Sequence, residues 1–246
     1  MRKTSCSSSG YTRKVLRQTQ KVFLVACELK RGAAIMFYTL IMQKVVAAPK
    51  KEGVPLSNIK VKKTELRNEL LTVRDSVDEE VWTAADAQIR ANLQALPAFQ
   101  EAQTVFCYIS MDTEIDTLLL IEEMLKSGKT VCAPRCAGKH VMHAYLVNSL
   151  DELEDDPLGI PSPAAESPLV APETIDLVIV PCLTCDDRGN RLGYGGGYYD
   201  CYCTSATNAV KAILCRERFR VASLPSEPHD VPADIIVTDK GTVFLS

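Results

Sequence analysis

Two short runs, Thr104-Val105-Phe106-Cys107-Tyr108-Ile109 and Asp176-Leu177-Val178-Ile179-Val180-Pro181, are apolar at consecutive positions and constrain this chain more than any other feature. A half-exposed strand alternates apolar with polar residues, whereas a strand without alternation is buried on both faces, as in a parallel sheet covered by helices. The neighbouring sequence supplies the helices. From about Lys62, Leu66, Leu70, Val73 and Val77 recur at helical spacing, and Ser76-Val77-Asp78-Glu79 is a capping box opening a second helix along Val81, Ala85, Ile89, Leu93 and Leu96. Asp116 or Thr117 caps a helix to Ser127, Gly128 ends it in the left-handed conformation, and a strand follows from Thr130 to Ala133, which completes a βαβ unit. The acidic, Pro-rich stretch from Asp151 to Pro172 reads as a surface loop, with later strands near Ala212 to Leu214, Ile235 to Thr238 and Thr242 to Leu245. No internal repeat is visible. The pattern predicts an α/β, three-layer sandwich with a mostly parallel, Rossmann-like sheet.

With 246 residues, 46% apolar and 24% charged, the chain has material for a large core, which excludes wholesale disorder, a collagen-like chain and a disulfide miniprotein. The net charge of -3 gives no reason to expect nucleic-acid binding, but it conceals a split. Residues 1–60 carry 12 Lys/Arg against 2 Asp/Glu, and the remainder 16 against 29. The domain is therefore expected over 61–246, behind a basic extension over 1–60. That extension is Ser-rich with no acid before Glu28, in the manner of an organelle transit segment; the alternatives are translation starting at Met36 or Met42, and a partner-binding arm. Its apolar stretch, Gly32 to Met42, is too short to span a bilayer. The ten cysteines sit among apolar neighbours, as reduced, mostly buried thiols of an intracellular protein do.

Open α/β sheets bind ligands beyond the carboxyl ends of their strands. One segment there, Asn190-Arg191-Leu192-Gly193-Tyr194-Gly195-Gly196-Gly197-Tyr198-Tyr199-Asp200, lets backbone N–H groups approach an anion and adds the Arg191 fork, which predicts a phosphate-binding loop. Tyr198 and Tyr199 begin a helix whose amides would add to the site, and Asp200 offers a ligand for a hard cation. The spacing is neither that of a P-loop nor that of a dinucleotide fold. Glu114 follows the first strand as an acceptor for ring or amino N–H groups or as a helix-start charge, and Asp230 is a possible metal ligand in a turn. A rival reading takes Cys182-x2-Cys185 with Cys201-x-Cys203 as the thiolates of a zinc-binding interaction module. His140, His143 and His229 receive no role, the first two flanking an expected edge strand.

Lys63-x-x-Leu66-Arg67, the Tyr108 to Thr117 run, Asn190 to Asp200 and Pro228 to Thr238 together resemble the 5-formyltetrahydrofolate cyclo-ligase (methenyltetrahydrofolate synthetase) family over about residues 61 to 240. The resemblance implies ATP- and Mg2+-dependent closure of 5-formyltetrahydrofolate to 5,10-methenyltetrahydrofolate, with release of ADP and phosphate. It implies ATP contacts for Lys63, Arg67 and Arg191 to Tyr199 (Arg191, Leu192, Gly193, Tyr194, Gly195, Gly196, Gly197, Tyr198, Tyr199), with Leu192 and Tyr108 themselves packing. Folate contacts would be Ile109, Glu114 and Tyr194 to Tyr198, metal contacts Asp200 and Asp230, and the reacting centre Arg191, Tyr194 and Asp200. Arg135 is an extra phosphate or folate-tail partner, or a solvated strand-end charge. A monomeric, cytoplasmic enzyme without nucleic-acid or membrane partners follows, or a mitochondrial one if the extension is a transit segment. The alternative is an altered member that binds nucleotide or folate as a regulator. Departures from the family pattern are Phe219 in place of a glutamine, inside the basic run Arg216 to Arg220, a less helical Cys201 to Ser205, and an extension without a counterpart.

Overall fold

The computed structural model describes residues 56–245 except 78, 157 and 158. In chain order the helices are α1 (Leu56–Asp75), α2 (Glu79–Gln94), α3 (Pro97–Glu101), α4 (Leu118–Lys126) and α5 (Tyr198–Cys203). The strands are β1 (Thr104–Cys107), β2 (Thr130–Gly138), β3 (Val141–Val147), β4 (Glu154–Asp155), β5 (Pro161–Ser162), β6 (Leu169–Val170), β7 (Leu177–Val180), β8 (Thr184–Cys185), β9 (Arg191–Leu192), β10 (Val210–Leu214), β11 (Ile235–Thr238) and β12 (Gly241–Phe244). Eight of them form one sheet in the order β12-β11-β10-β7-β1-β2-β3-β6. The central five, β11, β10, β7, β1 and β2, run parallel, with antiparallel strands at both flanks.

The two apolar runs are the two innermost strands, and their residues divide between two cores by the strand period of two. Val105, Cys107, Leu177 and Ile179 pack with Ile89 and Leu93 of α2, Phe99 of α3 and Leu120, Ile121 and Met124 of α4. Phe106, Val178 and Val180 pack on the other face with Leu66, Leu70 and Val73 of α1 and Tyr202 and Cys203 of α5. This is the expected three-layer α/β sandwich. The chain leaves β1 toward β2 and β3, then returns to β7 on the other side of β1 and continues outward to β10, β11 and β12. The order reverses between β1 and β7, and ligands of such sheets bind at that switch point.

Several local expectations are corrected. Ser76 does not act as the opening cap: its hydroxyl donates to the Val73 carbonyl (2.8 Å) and closes α1, while Asp78 lies outside the described residues. Asp116 Oδ1 accepts from the Leu118 amide (2.9 Å) at the start of α4, whereas the Thr117 hydroxyl donates to the Tyr108 carbonyl (2.7 Å). Gly128 takes φ +83°, as expected of a helix end. The 151–172 stretch contains β4, β5 and β6, and β6 rather than β3 is the edge strand. The strand expected to end at Ala133 runs to Gly138 because β3 pairs along it. α1 begins at Leu56, upstream of the boundary expected at residue 61.

Candidate active site

A cavity of about 1410 Å³ opens at the carboxyl ends of β1 and β7. One wall is a stripe of α1: Lys60, Lys63, Thr64, Arg67 and Leu71 line it, at spacings that keep them on one helical face. Arg67 Nε donates to the Gly193 carbonyl (2.8 Å), which ties the helix to the glycine turn. Gly195 (φ +98°) and Gly197 (φ +67°) occupy the left-handed region, and a Cβ on Gly195 would press within 3.1 Å of the Arg67 guanidinium. α5 begins at Tyr198, as expected, with Gly197 at its N-cap position. At six residues α5 is too short for its macrodipole to matter much, so the expected helix contribution to anion binding reduces to the turn's own N–H groups.

Arg191, Asp200 and the 227–231 segment form one ionic cluster. Arg191 Nη2 meets Asp200 Oδ1 at 2.8 Å and Nη1 donates to the Val231 carbonyl (2.7 Å), while the Val231 amide donates to Asp200 Oδ1 (3.1 Å). Lys63 Nζ reaches Glu227 (3.2 Å) and Asp230 (2.6 Å). Among the described residues, Glu227, His229 and Asp230 form the one group of three whose ligating atoms lie within 4.8 Å of one another. The carboxylates of Glu227, Asp230 and nearby Asp200 are hard oxygen donors and fit Mg2+, whereas the imidazole does not. Glu227 escaped the sequence reading because nothing in Ser226-Glu227-Pro228 marks it before the fold sets Lys63 against it.

The opposite wall follows β1. Ile109 and Glu114 line the cavity, and a turn joins the Glu114 carboxylate to the Met111 amide (3.0 Å). Burial pushes the Glu114 carboxyl above the usual carboxylate range, and Asp112 adds to this; the Met111 amide, the Tyr194 hydroxyl and Arg74 pull it partly back. Burial also raises the Tyr194 phenol, so it remains a donor at neutral pH, and its partner is Glu114. Because folded Glu114 holds its proton to higher pH than the unfolded chain does, stability is greatest below the ordinary carboxyl pKa and is lost as pH rises through the raised one. Glu114→Gln is therefore expected to melt higher than the parent at neutral pH and level with it in acid. Thermal melts at the two pH values check this, and equal melting at neutral pH contradicts it.

Tyr108 and Leu192 are buried packing residues, as expected. Tyr198 and Tyr199 line the cavity, and Tyr199 also packs edge-on against Phe106. Arg135 lies outside the cavity and serves neither of its expected roles: its Nη1 binds the Pro163 carbonyl (2.7 Å) and Glu154 (3.0 Å), pinning the β4–β5 segment. Phe219 is buried in the core between Trp82 and Arg74, so this departure does not enter the cavity. Cys201, Tyr202 and Cys203 close the six-residue α5, and Thr204 and Ser205 lie beyond its end. The zinc reading is not supported, because Cys182 engages Cys185 and Cys215 in the core, Cys203 is buried and Cys201 is exposed. Besides Glu227, three residues went without a role in the sequence reading. His140, at a hairpin tip, hydrogen-bonds the Gly196 carbonyl through Nδ1. Arg74 and Asp86 fall on the buried stripes of α1 and α2, where periodicity leads one to expect apolar side chains.

Sheet, cavity and charge place the chain among α/β small-molecule enzymes whose ligands sit at the switch point. A profile of the 5-formyltetrahydrofolate cyclo-ligase family matches residues 59–239. The 5-formyltetrahydrofolate cyclo-ligase of Mycolicibacterium smegmatis is 31% identical over 193 residues, which cover 74% of this chain and 97% of that one. The mitochondrial 5-formyltetrahydrofolate cyclo-ligase of Arabidopsis thaliana is 27% identical over 266 residues, covering 92% of this chain and 96% of its own. The solved 5,10-methenyltetrahydrofolate synthetase of Aquifex aeolicus superposes with a TM-score of 0.67 at 32% identity, over 74% of this chain and 92% of its own. The chain belongs to the 5-formyltetrahydrofolate cyclo-ligase family. The match to the plant relative extends into the residues before 59, so part of the basic extension has a counterpart after all.

Proposed function

We propose that this chain closes 5-formyltetrahydrofolate to 5,10-methenyltetrahydrofolate, using ATP and Mg2+ and releasing ADP and phosphate. The observation that carries the reading is one cavity lined by Lys63, Arg67, Arg191 and the glycine turn, with Tyr194 of that turn hydrogen-bonded to Glu114. The formyl oxygen takes the γ-phosphoryl group of ATP and ADP leaves; N10 then bonds to the formyl carbon and gives up its proton, and the carbon–oxygen bond breaks so that phosphate leaves with the oxygen. The folate supplies its own nucleophiles, so the protein needs none, and its work is alignment and charge neutralisation. In this reading Lys63, Arg67, Arg191 and the N–H groups of Gly193 to Gly197 hold the triphosphate. Glu114 accepts the pterin donors, Ile109 packs on the ring, and Tyr194 to Tyr198 form the partition between the two ligands. Asp200 and Asp230 would hold Mg2+, which when bound offsets the phosphate charge. A monomer would suffice for this site, since all these groups come from one chain. Growth of methenyl absorbance with ATP, Mg2+ and 5-formyltetrahydrofolate tests the reaction, and no change at micromolar enzyme rejects it.

The ion pairs of the free chain have a consequence for binding. Two of the three proposed phosphate cations are neutralised by proposed metal ligands, Lys63 by Asp230 and Arg191 by Asp200. Triphosphate arriving alone would strip cations from carboxylates, and metal arriving alone would do the reverse; together they exchange every partner without leaving a charge unpaired. Mn2+, used as a probe, is expected to bind about tenfold tighter or more in the presence of a non-hydrolysable ATP analogue. Lys63→Gln should narrow that gap by releasing Asp230. Calorimetric titration reads both, and equal Mn2+ affinity with and without nucleotide contradicts the exchange.

Among the described residues no helix is long and apolar enough to cross a membrane. For the basic extension we favour a transit segment over an early start or a partner arm, supported by its composition and by the mitochondrial relative that matches into it. N-terminal sequencing of the protein from its native source tests this, since a mature end near residue 56 is expected and an end at Met1 contradicts it.

A further inference from the structure

Arg216 is the second of the two large charged residues that the fold buries almost completely, at 1% exposure. It follows β10 at the carboxyl end of the sheet, and its whole fork is engaged. Nε and Nη2 bind Asp86 Oδ1 and Oδ2 at 2.7 and 2.8 Å. Nη1 donates to the Thr113 carbonyl (3.0 Å), Nη2 also donates to the Glu114 carbonyl (3.1 Å), and the guanidinium carbon stands 4.5 Å from the Trp82 ring centroid. Asp86, on α2, is itself 7% exposed. The side chain thus joins β10, α2 and two successive carbonyls of the turn that presents Glu114 to the cavity.

A buried ion pair adds little net stability over an apolar packing of the same volume, because both ions lose their hydration. Its effect lies in geometry: a planar fork held by a carboxylate on one edge fixes acceptors on the other. The Thr113–Glu114 turn contains Asp112 at φ +46°, a conformation that non-glycine residues rarely adopt without external support. Asp86 neutralises Arg216, and Arg74 and Asp112 are the charges that bear on the Glu114 carboxyl.

We propose that Arg216, clamped by Asp86, is a positioning residue for Glu114: it locks the Thr113–Glu114 peptide so that the carboxylate meets the pterin edge in register. The proposal rests on reading Glu114 as the pterin contact. It assigns a role to the basic run that follows β10, which the function otherwise leaves unused.

The test uses the full chain with the double variant Asp86→Leu/Arg216→Met, which removes both ions and leaves no unpaired charge, and with Arg216→Lys, which keeps the charge beside Asp86 but loses the fork. Either variant serves if the other fails to fold. The expected result is a rise in KM for 5-formyltetrahydrofolate of about tenfold for the double variant and a smaller rise for Arg216→Lys, with KM for ATP unchanged. The acid limb of the folate kcat/KM profile should stay at the parent's pH, since the double variant removes the two opposite charges together and leaves the net charge beside Glu114 unchanged. Added to Glu114→Gln, the double variant should cause no further rise. An unchanged folate KM, equal rises for both substrates, or full additivity with Glu114→Gln would overturn the proposal. If Glu114→Gln alone leaves the folate KM unchanged, the pterin reading itself fails; if Glu114→Gln raises it while the Arg216 variants are silent, only the positioning role does.

Discussion

Arg191→Ala is expected to lower kcat/KM by about a thousandfold, the scale seen when a charge-stabilising group is removed from a phosphoryl or acyl transition state. Arg191 is the group through which the glycine turn, Asp200, the proposed metal carboxylate, and the 227–231 segment meet, by a 2.8 Å ion pair and a 2.7 Å bond to the Val231 carbonyl. Removing it takes away the fork and leaves Asp200 without its cation, so both proposed phosphate and metal contacts suffer. Arg191→Lys keeps a charge but cannot span Asp200 and Val231 together, and should recover only a minor part of the loss. Steady-state kinetics with each substrate varied separately, on protein whose melting has been checked, measures this. A loss below tenfold in a folded Arg191→Ala protein would remove Arg191 from the reacting centre.

Phe106→Ala carries the largest expected effect on stability, a loss of about 3–5 kcal/mol. Phe106 is fully buried at the middle of the sheet, stacks on Tyr202 with ring centroids 4.6 Å apart and meets Tyr199 edge-on at 6.2 Å. Those two tyrosines belong to α5, the short helix that ends the glycine turn, and this contact is what seats the helix on the sheet. The cavity left by alanine should therefore loosen the turn as well as lower stability. Denaturant unfolding reads the first effect, and a weakened affinity for nucleotide, measured where the variant is still folded, reads the second. A loss below 1 kcal/mol would mean that the core refills around the site.

Much of the candidate site is legible in the sequence because its chemistry is local. Gly193 to Gly197 with Arg191 and Asp200 form one uninterrupted run, and Lys63 and Arg67 stand four residues apart on one helix, so spacing alone puts them on one face. The two inner strands are legible for the same reason: consecutive apolar residues admit few other placements. What spacing hides is pairing across the chain. Asp86 and Arg216 are 130 residues apart and read singly as surface charges, yet together they form the buried fork. Lys63 meets Glu227 and Asp230 only after β11 has been laid beside β10. Arg135 resembles a ligand contact from its place after a strand, but the hairpin that follows bends β4 and β5 back to it. The strand expected near Thr242 to Leu245 is β12, but the antiparallel direction of β12 and of β3 was unreadable, since it is set by pairing partners and not by their own composition.

The claim on which the rest depends is that the glycine turn grips a triphosphate while Glu114 grips the reduced pterin beside it. A crystal structure with a non-hydrolysable ATP analogue and 5-formyltetrahydrofolate measures this directly. The account predicts the terminal phosphate against the amides of Gly193 to Gly197 and the guanidinium of Arg191, with the pterin edge on the Glu114 carboxylate and the formyl oxygen facing the phosphate. Nucleotide bound elsewhere, with the turn touching only protein, would contradict it.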